Sequence, residues 1–191
     1  ADALGAIGGP DAVAALRAVA LGEGQETLVR FSALRGLARL ETPLTAVELK
    51  SALADPVLRP VAFAVLGHGD DPDGVDALLA GLAAGSRAAR EAAMEALLRI
   101  AARADGAAAD QIYTRMRGAA MAAPSCVEDA IRRLADAELG ARLLLVQFLG
   151  VVRAPESVGP LLGAARDEAL AEVVLAILTG FGDGVEALLD A

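Results

Sequence analysis

Aromatic residues are nearly missing: there is no Trp, one Tyr and four Phe, 3% of 191 residues. Their scarcity removes the platforms on which single-stranded nucleic acids stack and the bulky residues that strands favour. Positive charge is also short. Lys50 is the single lysine beside 16 arginines, and 26 acids bring the formal charge to −9. A phosphate backbone needs a net positive face, so nucleic acid is not an expected partner. Cysteine is reduced to Cys126, which rules out an internal disulfide and is compatible with a reducing compartment. Long apolar runs are lacking too. The longest uncharged stretch of note, 143–152, has ten residues between Arg142 and Arg153, against the ~20 needed to span a bilayer. No membrane span is expected, and the location expected is cytoplasmic.

What the chain does have is 46 Ala and 30 Leu, a helix-forming composition that predicts an all-α fold. Arginine in place of lysine, with this much alanine, points to a GC-rich bacterial source. The chain opens on Ala1 in helical sequence and stops at Ala191 within another helix, so the expectation is a segment of a larger protein.

Self-similarity is the strongest signal. Arg30 is followed by Leu37, Pro43 and Leu49 at offsets of seven, thirteen and nineteen. Arg59 repeats the offsets with Leu66, Pro72 and Leu78, and Arg142 with Leu149, Pro155 and Leu161. A half copy, Leu4, Pro10 and Leu16, precedes them; Arg90 and Leu97 form another first half, with Arg103 at the proline position. Each copy reads as two helices. The first has apolar residues at helical spacing, as in Leu28, Phe31, Leu34 and Leu37. The proline opens the second, where its missing N–H costs least. An acid follows at Asp11, Asp73 and Glu156, in the first turn that the helix dipole favours for negative charge. Such a pair cannot bury its apolar stripe alone and must stack on the next.

The stretches "VLRPVAFAVLGHGDDPDGVDALLAGL" (57–82) and "ARLLLVQFLGVVRAPESVGPLLGA" (141–164) resemble HEAT repeats, in particular the short bacterial kind called phycobilisome-lyase HEAT-like repeats. The resemblance covers nearly the whole chain and concerns fold, not activity. It implies a right-handed α-α superhelix, a HEAT or armadillo-like solenoid of about 12–13 helices. Its usual work is holding other proteins, in a groove lined by the second helices. The units expected are 1–22, 25–54, 56–84, 86–136, 139–166 and 168–191, in a single repeat domain.

The period breaks once. Successive arginines are 29 and 31 residues apart, then 52 from Arg90 to Arg142. The excess is one helix with its turn, which predicts three helices, roughly 86–103, 107–121 and 124–136, as one armadillo-like unit or with one helix displaced. The same stretch is basic: 87–133 carries +2 while the remainder carries −11. Arg99, Arg103, Arg115, Arg117, Arg132 and Arg133 are candidates for docking an acidic peptide or a phosphate. The plainer reading pairs them with Asp105, Asp110, Glu128 and Asp129 on a solvated face.

Charges also recur between repeats. Asp11 precedes Arg30 by nineteen residues, Asp71 precedes Arg90 by nineteen, and Glu41 precedes Arg59 by eighteen. Arg153 precedes Glu172 by nineteen, with both signs reversed. These spacings suggest a ladder of ion pairs that sets stacking register, with Arg142 left without a partner because Ala123 stands at its offset. Pro60 is expected to kink its helix, and Gly159-Pro160 to kink or delay theirs.

"HGDDPDG" at 68–74 gathers His68, Asp70, Asp71 and Asp73, but zinc would need further His or Cys and hard cations need converging oxygens. A polar inter-helix turn is the simpler reading. Cys126, at a helix start with no second Cys and the sole His far away, reads as a structural thiol. No nucleophile motif, Walker loop or dinucleotide fingerprint is present, and "AIGGP" at 6–10 lacks the Lys of a phosphate loop. No catalytic residue, cofactor or metal is therefore expected. The function expected is a non-catalytic interaction scaffold whose partner is another protein or another domain of the parent chain. The resemblance also implies two alternatives, a chromophore-lyase-like accessory protein and a HEAT-fold nucleic-acid enzyme. At the end, "VEALLDA" presents Val185, Leu188 and Leu189 without a covering helix, so end-to-end self-contacts are expected.

Overall fold

A computed structural model describes residues 9–180. Leu4, Val185, Leu188 and Leu189, and with the last three the expected uncovered end, lie outside the described residues. Among the described residues there are eleven α-helices, one short 3-10 turn and no strand. The chain divides into two compact units, Ala1–Ala109 and Asp110–Ala191.

In the first unit the helices are α1 (Pro10–Leu21), α2 (Thr27–Arg39), α3 (Lys50–Ala54), α4 (Arg59–Leu66), α5 (Pro72–Gly81) and α6 (Arg87–Arg103). The first helices of three successive repeats pack one on the next, α2 on α4 and α4 on α6, while α1 packs on α2 and α5 on α6. The repeat leucines explain this packing. Leu16, Leu37, Leu49, Leu66, Leu78 and Leu97 are all 3% exposed or less, so the sequence period is the period of the core. Fully burying one such side chain stabilises by roughly 1.5–3 kcal/mol. The glycine after Leu66 sets how closely two first helices approach: a Cβ on Gly67 would stand 2.9 Å from the Ala96 Cα of α6.

The boundary between the units falls inside α7 (Gly106–Ala122). Beyond it come α8 (Pro124–Leu134), α9 (Leu139–Val152), α10 (Val158–Ala164) and α11 (Glu168–Thr179). Here too the first helices pack in succession, α9 on α11, with α8 on α9 and α10 on both α8 and α11. Leu149 and Leu161 are fully buried. The three central helices lie where the broken period placed them, as α6, α7 and α8. Leu134 ends α8 two residues short of the expected 136.

Two local expectations are corrected. Pro43 does not open a helix. The chain turns at 46–49 and α3 begins at Lys50, because Thr45 and Glu48 form a capping box. Glu48 accepts from the Thr45 backbone N–H at 2.9 Å, and the Glu48 N–H donates to Thr45 Oγ1 at 3.3 Å. Pro60 does not kink a helix either. It is the second residue of α4, where no backbone donor is required, and Pro56–Leu58 form a turn before it. The late start near Pro160 does occur: Pro155–Ser157 is a 3-10 turn and α10 begins at Val158, which leaves Pro160 in its first turn.

Candidate functional site

The arginines that mark the repeat have a common job that the ladder reading missed. Each closes the C-terminal end of the helix before its own. Arg30, on α2, donates from Nε to the carbonyl of Ala20 in α1 at 3.0 Å and from Nη2 to Ser51 Oγ at 2.7 Å. Arg59 donates to Leu53 O at 2.7 Å and Ala54 O at 3.3 Å, the end of α3. Arg90 donates to Ala84 O at 2.7 Å and Gly85 O at 3.1 Å, just past α5. Arg142 donates to Leu134 O, the end of α8, at 3.2 Å. Helix ends carry unpaired carbonyls and a partial negative charge, so a guanidinium with five donors suits them.

The structure therefore gives Arg30 and Arg59 to carbonyls and not to Asp11 and Glu41. Asp71 accepts instead from the Ala46 backbone N–H at 2.7 Å. Glu41 and Arg153, each eleven residues after a repeat arginine, occupy left-handed backbone at φ 51° and 57° where α2 and α9 end. Glu172 is exposed on α11. Arg142 is not left without a partner. Its Nη1 pairs with Asp167 at 2.6 Å, and that carboxylate also caps α11 by accepting from Ala169 N–H at 3.0 Å.

The six candidate arginines divide between the two units. Arg99 and Arg103, one turn apart on α6, meet the turn after α4 within the first unit. Arg99 Nη1 lies 3.2 Å from His68 Nε2, its Nη2 pairs with Glu95 at 2.5 Å, and Arg103 donates to Gly69 O at 3.2 Å. Burial pushes the His68 pKa below the ordinary imidazole value. The charges of Arg99 and Arg103 push the same way, against Glu41 and Glu95. In the second unit Arg117 donates to Val151 O at 3.2 Å, and Arg132 pairs with Asp129 at 2.9 Å while 71% of its side chain stays exposed. Arg115 is exposed and Arg133 half-buried, and both are engaged by neighbouring groups. Asp105 caps α7 by accepting from Ala108 N–H at 2.9 Å.

One concavity within the second unit lies between α8 and α10, with a volume of about 470 Å³. Ile131, Leu134 and Ala135 line it from one side and Pro160, Gly163 and Ala164 from the other, with Arg142 as its one charged lining residue. A Cβ on Gly163 would meet nothing within 4 Å, so the wall is open there. Gly163 and Ala164 keep it open, since bulky side chains at these positions would fill the space.

Cys126 is fully buried in the first turn of α8, as a structural thiol is. Among the described residues no three His, Cys, Asp or Glu side chains converge as metal ligands, and no helix is long and apolar enough to cross a membrane. No protein-family model matches the chain, and no curated protein matches it.

Proposed function

We propose that this chain is a non-catalytic protein-interaction module, built as an α-solenoid of the HEAT or armadillo-like kind, that holds an extended segment of another protein or of its parent chain. The observation that carries the reading is the groove between α8 and α10. It is mostly apolar, about 470 Å³ in volume, and has Arg142 as its one charged lining residue. A few polar groups in a mostly apolar concavity are what a peptide side chain needs for burial and orientation. Supporting the solenoid form are the buried repeat leucines and the succession of first helices within each unit. The acidic balance of the chain outside 87–133 disfavours a nucleic acid in this role.

The test is selection from a displayed random-peptide library against the whole chain, followed by Gly163→Phe. That side chain enters open space and replaces a helix-weakening glycine, so it fills the groove without unfolding α10. Selected peptides with an apolar anchor should lose about tenfold or more in affinity, the value of one buried anchor. Equal binding by both proteins would remove the groove as the site.

A further inference from the structure

The turn that joins α4 to α5 is clamped onto α6 by three adjacent contacts. Gly67 lets the turn lie against the Ala96 backbone, where any Cβ would be 2.9 Å from Cα. His68 Nε2 lies 3.2 Å from Arg99 Nη1, and Gly69 O accepts from Arg103 at 3.2 Å. On its other side the turn meets Pro43, whose Cβ would be 3.4 Å from a Cβ on Gly69. Two of these contacts are hydrogen bonds, and one of the two depends on a proton.

A guanidinium has no acceptor and stays protonated, so in the 3.2 Å contact Arg99 must donate and His68 Nε2 must hold a lone pair. The imidazole is therefore neutral, with its proton on Nδ1. Gaining a second proton would abolish the acceptor and set two cations at that distance. The charges that act on the ring come from both packed helices: Arg99, Arg103 and Glu95 on α6, and Glu41 at the end of α2. Glu95 is already held by Arg99, which leaves Glu41 to attract an imidazolium away from α6.

We propose that His68 is a pH-operated latch: neutral, it ties the α4–α5 turn to α6 through Arg99, and on protonation it releases the turn and swings toward Glu41. The latch lies in the first unit and does not depend on the groove in the second. Burial lowers the ring's affinity for its proton, so release occurs on the acid side of an ordinary histidine. The unfolded chain then binds the proton more readily than the folded one. Stability is complete above about pH 6.5 and declines as the pH falls below it.

His68 is the single histidine, so its imidazole resonances in the intact chain are unambiguous. The experiment is a titration by NMR from pH 8 to pH 5, with amide exchange corrected for its intrinsic pH dependence. The neutral ring should show the Nδ1–H tautomer. Protection at 67–71 and 95–103 should fall several-fold with the same midpoint as the imidazole. Arg99→Gln should move that midpoint upward. His68→Gln, whose amide oxygen accepts from Arg99 but gains no proton, should keep those amides protected down to pH 5. An imidazole that titrates while the α6 amides stay unchanged overturns the latch, as does the same acid loosening in His68→Gln. The wild-type titration alone decides if either variant fails to fold.

Discussion

Arg30 and Arg59 of the first unit use the repeat position differently from Arg142 of the second. Arg30 is 8% exposed and its partners, Ala20 O and Ser51 Oγ, are neutral; those of Arg59, two carbonyls, are neutral as well. In the second, Arg142 has a carbonyl and the Asp167 carboxylate. The shared element is the carbonyl at the end of the preceding helix. The position therefore selects a planar, many-armed donor, and a counter-charge is an addition and not a requirement. Buried arginine without a carboxylate is tolerable where a helix terminus supplies the negative pole.

The sharpest way to break this comparison is truncation. Arg30→Ala should cost about 3 kcal/mol in denaturant unfolding, because two charged-donor hydrogen bonds and a buried stem are lost together. Arg30→Lys should recover only part, since one ammonium cannot reproduce the fork. Arg142→Gln, which removes the partly exposed ion pair and keeps a donor, should cost about 1 kcal/mol. A larger loss at Arg142 than at Arg30 would reverse the ranking of carbonyl and carboxylate.

The glycine after the repeat leucine offers the next test. Gly67 faces the backbone of Ala96, whereas the atoms nearest a Cβ on Gly150 belong to the Ile177 side chain, at 2.7–2.9 Å. Backbone cannot step aside; a β-branched side chain in a helix can shift, but only with strain. Gly67→Ala should therefore cost about 1–3 kcal/mol, and Gly150→Ala somewhat less, by the same unfolding measurement. Matching values would mean that the two interfaces are equally rigid.

Smaller effects come from the ends of helices. Glu41→Gly should stabilise by roughly 1 kcal/mol, because the left-handed backbone there strains any side chain. Arg153→Gly should gain about as much if the two positions are true equivalents. Thr45→Ala should cost about 1 kcal/mol through loss of the capping box. The Thr45 backbone N–H donating to Glu48 holds its carboxyl below the ordinary glutamate pKa, with Arg17 contributing its charge. Stability from this contact is present above about pH 4.5 and lost as pH falls. In acid titrations of unfolding, Glu48→Gln should remove that component.

Much of the architecture could be read before any coordinates because it is periodic. Leu37, Leu66, Leu97 and Leu149 recur at a fixed distance from arginine, and a recurring apolar residue in such a frame has to be core. The gap from Arg90 to Arg142 exceeded the period by one helix, and α7 is that helix. Pro60, in an apolar run, reads as a kink when the helix start is placed too early. Asp55 shows where the start is: its carboxylate accepts from Val57 N–H at 2.8 Å and closes the turn that α4 grows from. The capping box at Thr45 stands in the sequence as T-x-x-E, two residues past the proline that reads as the helix start. The carbonyl partners of the arginines could not have been read at all. Backbone oxygens are the same at every residue, so a side chain that binds them leaves no complementary letter behind, and the ladder of acids filled that silence wrongly. The groove depends on what small residues leave empty, and empty space has no sequence pattern of its own.

The arginine closures have a consequence for synthesis. Each donor follows its acceptor by ten residues or fewer, from Ala20 to Arg30, Leu53 to Arg59, Ala84 to Arg90 and Leu134 to Arg142. A newly made coil thus stays frayed at its tail only until the next few amino acids leave the ribosome. Each closure is a short-range step with little loop entropy to overcome.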